Sequence, residues 1–167
     1  MSPHRFVRWT LISLALLLAF GPVATASAEG KPIRERAPFG PPFTISGKCE
    51  FDVSWEALSD NMYLTIFTEK NATRYLITGV LMSRFTNLAT GQSVDLNTSA
   101  QWTQVVYNDG SWESTLQGPF IGAWDFPGNP LIAYVQGQQF ERYDTTGALI
   151  EWKQTGQVQD VCAMLSN

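Results

Sequence analysis

The chain has 167 residues, of which 44% are hydrophobic and 16% are charged, with two cysteines and one histidine. Acidic residues outnumber basic ones by 15 to 11, and no run of lysine and arginine is present. Nucleic acids and anionic lipid surfaces are therefore poor candidates for partners, because both require clustered positive charge. The length suits one domain with a sizeable core.

Residues 1–28 predict a cleaved export signal. Arg5 and Arg8 precede an almost wholly apolar stretch at 11–20, and Ala26-Ser27-Ala28 supplies the small residues that a signal peptidase needs. The apolar stretch is shorter than the roughly 20 residues that span a bilayer, so an uncleaved anchor is the weaker alternative. The mature chain is then expected to be secreted, without membrane insertion. His4 leaves with the signal, so histidine-dependent triads and metal sites are not expected.

Cys49 and Cys162 remain in the exported chain, where thiols are normally oxidised. We expect a disulfide between them, and two free buried cysteines or an intermolecular bond are the alternatives. A disulfide would also exclude a cysteine nucleophile.

Residues 29–43 form a proline-rich segment, with prolines at 32, 38, 41 and 42. Because proline lacks the backbone N–H that a strand ladder uses, we expect an extended, mobile lead-in here. Residues 44–167 then form a single domain. Within it, β-branched and aromatic residues alternate with polar ones, which predicts strands, and no stretch has helical spacing.

Turn sequences separate the predicted strands at intervals of about 19 residues. They lie at 69–72, 89–91, 108–110, 126–129 and 145–147, and each is typical of a hairpin. A second series, Gly79, Gly118, Gly137 and Gly156, falls inside the strands. Glycine weakens a strand, so we expect these residues to mark bends or bulges, with chance as the alternative.

The fold class expected from this pattern is all-β. Cys49 lies in the first strand of the domain and Cys162 at the end of the last, and a disulfide needs Cα atoms within about 7 Å. The sequence therefore predicts an up-and-down antiparallel meander of long, glycine-kinked strands that closes into a small barrel of seven or eight strands.

Large aromatic residues recur on the apolar side of these strands. A filled core is one interpretation, since each ring buries a large area. The other is a pocket for a flat apolar ligand, for which the candidate lining residues are Trp55, Trp102, Trp112, Phe120, Trp124 and Trp152.

Signatures of known chemistries are missing from the sequence. There is no phosphate-binding loop, no dinucleotide fingerprint and no calcium loop, so we expect no cofactor, no metal site and no assigned catalytic residue. Glu141 and Tyr143 share a side of their strand, but the faces of that strand are mixed around Gly137. Asp160 is expected to be a rim residue.

The tail Asp160-Val161-Cys162-Ala163-Met164-Leu165, with the first-strand cysteine and the glycine-containing hairpins, resembles a group of uncharacterised small secreted proteins of actinobacteria. In architecture the chain is similar to calycin-type and allene-oxide-cyclase-like barrels. The resemblance implies a fold and no activity.

The expected function is that of a secreted, non-enzymatic protein that binds a small apolar molecule. The first alternative is an isomerase or cyclase working in a cavity, which needs an inward tyrosine or carboxylate with a raised pKa. The second is a secreted interaction or inhibitor module that uses the loop at 125–130 or the proline-rich lead-in. The sequence does not indicate an oligomeric state.

Overall fold

The computed structural model describes residues 31–122 and 131–166. The predicted signal at 1–28, Trp124 and the predicted turn at 126–129 lie outside the described residues. The elements are β1 (Ile33–Arg36), β2 (Phe43–Ile45), β3 (Val53–Thr68), β4 (Ala72–Asn87), β5 (Ser93–Asn97), β6 (Gln101–Tyr107), β7 (Trp112–Gly122), β8 (Ala133–Tyr143), β9 (Leu149–Asp160) and α1 (Val161–Met164).

The strands form one antiparallel sheet, so the all-β prediction is confirmed. Its order is β1-β3-β4-β6-β7-β8-β9, with β2 also beside β3 and β5 also beside β4. The four predicted turns that fall in the described residues each join two neighbouring strands. In three of them, the glycine N–H closes the turn by donating to a carbonyl: from Gly110 to Tyr107 and from Gly147 to Asp144, both at 3.0 Å, and from Gly91 to Asn87 at 2.8 Å.

The predicted closed barrel is wrong, because the sheet is open. Among the described residues, β9 pairs only with β8, and β1 and β2 pair only with β3. The chain leaves the strand conformation at Asp160 and enters α1, so no backbone ladder joins the last strand to the first. Apolar packing and a disulfide hold the two ends together instead.

The described strands number nine rather than seven or eight, and one reason lies in the proline-rich segment. Within 29–43, residues 33–36 form β1, with Ile33 opposite Ile66 of β3. The expectation that this segment stays out of the ladder is therefore wrong. Pro32 and Pro38 flank β1 rather than interrupt it, and proline is tolerated at the ends of an edge strand.

The second reason is a break between β5 and β6, which the sequence predicts as one strand. β5 pairs with the second half of β4, whereas β6 pairs with the first half. At the break, the Leu81 N–H donates to Ser99 Oγ at 2.8 Å, and the Thr98 N–H donates to the Leu81 carbonyl. The backbone N–H and carbonyl of Leu81 in β4 are thus both hydrogen-bonded at the point where the neighbouring strand changes from β6 to β5.

Three glycines lie side by side across β7, β8 and β9, and we call them the glycine row. Gly118 is the direct partner of Gly137, which is the direct partner of Gly156. Gly118 and Gly156 have φ of 111° and 104°, which disfavour any residue with a side chain. A Cβ on Gly137 would overlap the Thr155 carbonyl oxygen, so the two backbones approach too closely for one. The bulges expected at these glycines are not found, because the register runs through Gly118, Gly137 and Gly156 without a shift.

The main core lies between the start of β3, the end of β4 and the C-terminal tail. Val53, Phe85, Val161 and Leu165 are fully buried there. Asp160, placed by the sequence at a rim, caps α1: its Oδ1 accepts from the Cys162 N–H at 2.8 Å and from the Ala163 N–H at 3.3 Å.

The predicted disulfide between Cys49 and Cys162 is confirmed, with Cα atoms 5.5 Å apart. It joins the segment that precedes β3 to α1. The two ends of the open sheet are therefore covalently connected at this one point.

Candidate functional site

The strand register places three of the predicted pocket tryptophans on one face of the sheet. Trp112 lies opposite Tyr143, and Trp152 lies opposite Glu141. Since direct partners in an antiparallel pair point to the same side, these side chains form one patch. We call it the aromatic face; its members are Trp102, Trp112, Ser114, Gln139, Glu141, Tyr143 and Trp152.

Direct contacts hold the aromatic face together. The rings of Trp112 and Tyr143 are stacked, with centroids 3.8 Å apart and planes 12° apart. The Trp102 indole N–H donates to Ser114 Oγ at 2.7 Å. All four rings are only partly buried, so the patch is accessible in part.

Glu141 lies at the centre of the aromatic face and is 7% exposed. The Gln139 amide donates to its Oε1, and the Tyr143 hydroxyl donates to its Oε2 at 2.9 Å. Burial raises the pKa of Glu141 above its ordinary value, while these two hydrogen bonds partly oppose the shift. Burial, together with the charge of Glu141 and the hydrogen bond to it, raises the pKa of Tyr143.

The raised pKa of Glu141 predicts a pH dependence of stability. Because the folded state holds the proton more tightly, the Glu141 contribution is complete below its ordinary pKa of 4.5. It is then lost as the pH rises through the folded-state pKa. Urea unfolding between pH 4 and 7 should show the wild type losing stability relative to Glu141→Gln. Glu50→Gln, which removes an exposed carboxylate, is the control, and an equal trend in both variants would contradict the prediction.

The other predicted pocket residues lie elsewhere. Trp55 packs against Phe39, Phe43 and Phe85, with ring centroids 4.9 to 5.3 Å apart. Phe120 is 3% exposed in a second buried cluster with Ala100, Ala133 and Val135. With Trp124 outside the described residues, the structure brings together Trp102, Trp112 and Trp152. Phe120 lies further along the same side of β7, in the second buried cluster, and Trp55 packs against the main core.

Sequence reasoning noted that Glu141 and Tyr143 share a side of their strand but did not assign them to the site, and it did not identify Ser114 and Gln139 as members. A signal for them was present in the glycine series. Pairing Gly118 with Gly137, and Gly137 with Gly156, sets a register that places Glu141 between Ser114 and Trp152. The glycine row thus resolves the ambiguity of the β8 faces.

Two open surface grooves lie outside the aromatic face. One is lined mainly by polar groups near the β6–β7 hairpin, including Tyr107, Asp109, Glu113 and Arg142. The other follows the glycine row, beside Gly118 and Gly137. None of the predicted pocket residues lines either groove.

Residues 31–122 and 131–166 contain neither a metal-binding cluster nor a membrane-spanning helix. No group of three or more histidine, cysteine, aspartate or glutamate side chains there is arranged to hold a metal ion. No helix in these ranges combines the length and the apolar character that crossing a membrane requires.

Comparison of the chain with protein-family models, with curated proteins and with solved structures found no match. The resemblance to small secreted actinobacterial proteins, and to calycin-type and allene-oxide-cyclase-like barrels, therefore stays a prediction.

Proposed function

We propose that the protein is a secreted, non-enzymatic binding protein that holds a small apolar ligand against the aromatic face. Secretion is supported by the signal-like sequence of residues 1–28 and by the disulfide, a bond typical of oxidising compartments. The ligand surface is supported by the accessibility and chemistry of the aromatic side chains.

The observation that carries the proposal is that the three tryptophans of the aromatic face lie outside the two buried apolar clusters. The two buried clusters contain neither Trp102, Trp112 nor Trp152. These three tryptophans are partly exposed, as Trp55 is, but unlike Trp55 they do not pack against either buried cluster. Accessible aromatic surface beside a few hydrogen-bonding groups is typical of small-molecule sites.

Binding is favoured over catalysis by the state of the carboxyl group. The isomerase or cyclase alternative requires an inward carboxylate or tyrosine with a raised pKa, and Glu141 and Tyr143 meet this condition. Both Glu141 oxygens, however, already accept a hydrogen bond from a side chain on the same strand. Such pairing suits a fixed recognition group better than a group that exchanges protons with a substrate.

The interaction-module alternative draws no support from the described residues. Its candidate loop at 125–130 lies outside them, and part of its other candidate, the proline-rich lead-in, is held in the sheet as β1. We therefore prefer the small-ligand proposal.

A neutral apolar fluorophore, N-phenyl-1-naphthylamine, tests this proposal by titration against the purified mature protein. We expect saturable binding with quenching of tryptophan fluorescence. Trp112→Ala and Trp152→Ala should each weaken binding about tenfold, because each loses the burial of a large ring. Leu88→Ala removes an exposed apolar side chain outside the aromatic face and should bind like the wild type. Absence of saturable binding, or equal loss in all three variants, would contradict the proposal.

A further inference from the structure

Glu141 is a buried carboxylate without a basic partner in the described part of the chain. No ion pair joins it to a lysine or arginine of residues 31–122 or 131–166. The neighbouring cations, Arg142 and Lys153, alternate to the opposite face of the sheet, where they pair with Glu113 and Glu151. Buried charges in proteins are normally compensated, so this side chain is unusual.

The hydrogen bonds around Glu141 suit its ionised form. Gln139 and Tyr143 both act as donors, and the carboxylate accepts at both oxygens, so neither contact needs a proton on Glu141. A carboxylate has about four acceptor positions, and these two donors use one on each oxygen. Acceptor capacity therefore remains for a donor that is not part of the chain.

The neighbours of Glu141 are aromatic rather than basic. Trp152 is its direct partner on β9, and Tyr143 carries the stacked ring of Trp112. The faces of aromatic rings are electrostatically negative and attract cations, with tryptophan the strongest. The site therefore attracts a cation in two ways, through the charge of the carboxylate and through the faces of the rings. The same rings also offer apolar surface.

We infer that the ligand of the aromatic face is an apolar amine bound as its ammonium ion, with Glu141 as its counter-ion. The inference rests on the proposed function and names the ligand class for the same site. The ammonium N–H groups would donate to the free acceptor positions of Glu141, and the hydrocarbon part would lie against the tryptophan rings. The negative net charge of the chain also favours the approach of a cation.

Two probes of nearly equal size and shape test this inference. 2-Phenylethylamine carries an ammonium group at neutral pH, whereas 2-phenylethanol is neutral and keeps a hydroxyl in its place. Calorimetric titration of the mature protein at physiological salt should give at least about tenfold tighter binding of the amine, as expected for a partly desolvated ion pair.

Glu141→Gln should remove most of this preference, leaving only the attraction of the rings, and should keep the binding of the alcohol within about twofold of the wild type. Glu50→Gln also removes one negative charge, but at an exposed position, and should keep the preference, which separates a specific counter-ion from general attraction. If Glu141→Gln does not fold, the wild type alone tests the inference, through the ratio of its affinities for the amine and the alcohol at low and at high salt. A ratio that falls to one at high salt overturns the inference.

The outcomes separate the two proposals. Equal binding of amine and alcohol overturns the inference and leaves the apolar ligand site intact. Saturable binding of the neutral fluorophore without binding of the amine does the same. Failure of all three compounds to bind overturns both.

Discussion

Gly156→Ala is expected to destabilise the protein by about 3 kcal/mol or more, because two penalties add at this position. The backbone φ of 104° is unfavourable for alanine, at a cost of about 1–3 kcal/mol. The new Cβ would also overlap the backbone of Gln136 and Gly137 on β8, and overpacking costs a further 1–3 kcal/mol, roughly. Urea unfolding followed by tryptophan fluorescence measures the change.

Two other glycines separate these penalties. Gly147 has a φ of 81°, but a Cβ there would meet nothing within 4 Å, so Gly147→Ala should cost only about 1 kcal/mol. Gly122 has neither constraint, and Gly122→Ala should be close to neutral. If Gly156→Ala costs no more than Gly147→Ala, the close approach of β8 and β9 at the glycine row is disproved.

Loss of the disulfide is expected to have the next largest effect, about 2–5 kcal/mol. Cys49 and Cys162 are 113 positions apart, and a long loop gives the unfolded chain much freedom that the bond removes. The bond also secures α1 against the start of β3, where no backbone ladder connects the two ends of the sheet. The double variant Cys49→Ser/Cys162→Ser, unfolded in urea beside the oxidised wild type, measures this contribution.

Chemical reduction of the wild type is the matched control, since it breaks the same bond without changing the sequence. We expect the reduced wild type and the double variant to unfold at similar urea concentrations, both below that of the oxidised protein. A loss of less than about 1 kcal/mol in both would show that packing of Val161 and Leu165 alone holds the ends.

Local patterns predicted much of this fold. Alternation of apolar and polar residues predicted the strands, turn residues predicted the described hairpins, and the expectation of export predicted the disulfide. The prediction that the sheet closes into a barrel was wrong, because a disulfide fixes the distance between only two Cα atoms. The observed distance of 5.5 Å is equally compatible with a helix packed against a loop. The capping role of Asp160, which ends β9, is a local signal that the barrel interpretation overlooked.

The candidate site was only partly predictable. Parity along each strand identified Trp102, Trp112 and Trp152, but it did not reveal which tryptophans meet. Trp55 joins a different aromatic cluster because β4 changes its partner from β6 to β5, which is a long-range property of the sheet. The burial of Glu141 depends on three neighbouring strands in register, and no single strand contains that information.

The covalent link between Cys49 and Cys162 has a consequence for resistance to proteolysis. The four hairpin loops at 69–71, 88–92, 108–111 and 144–148 lie between the two cysteines. A protease that cuts any one of these loops therefore produces two fragments that stay tethered, and each retains its neighbours in the sheet. Cleavage of one peptide bond therefore opens the covalent loop without releasing a fragment, so the cleaved protein can keep its fold.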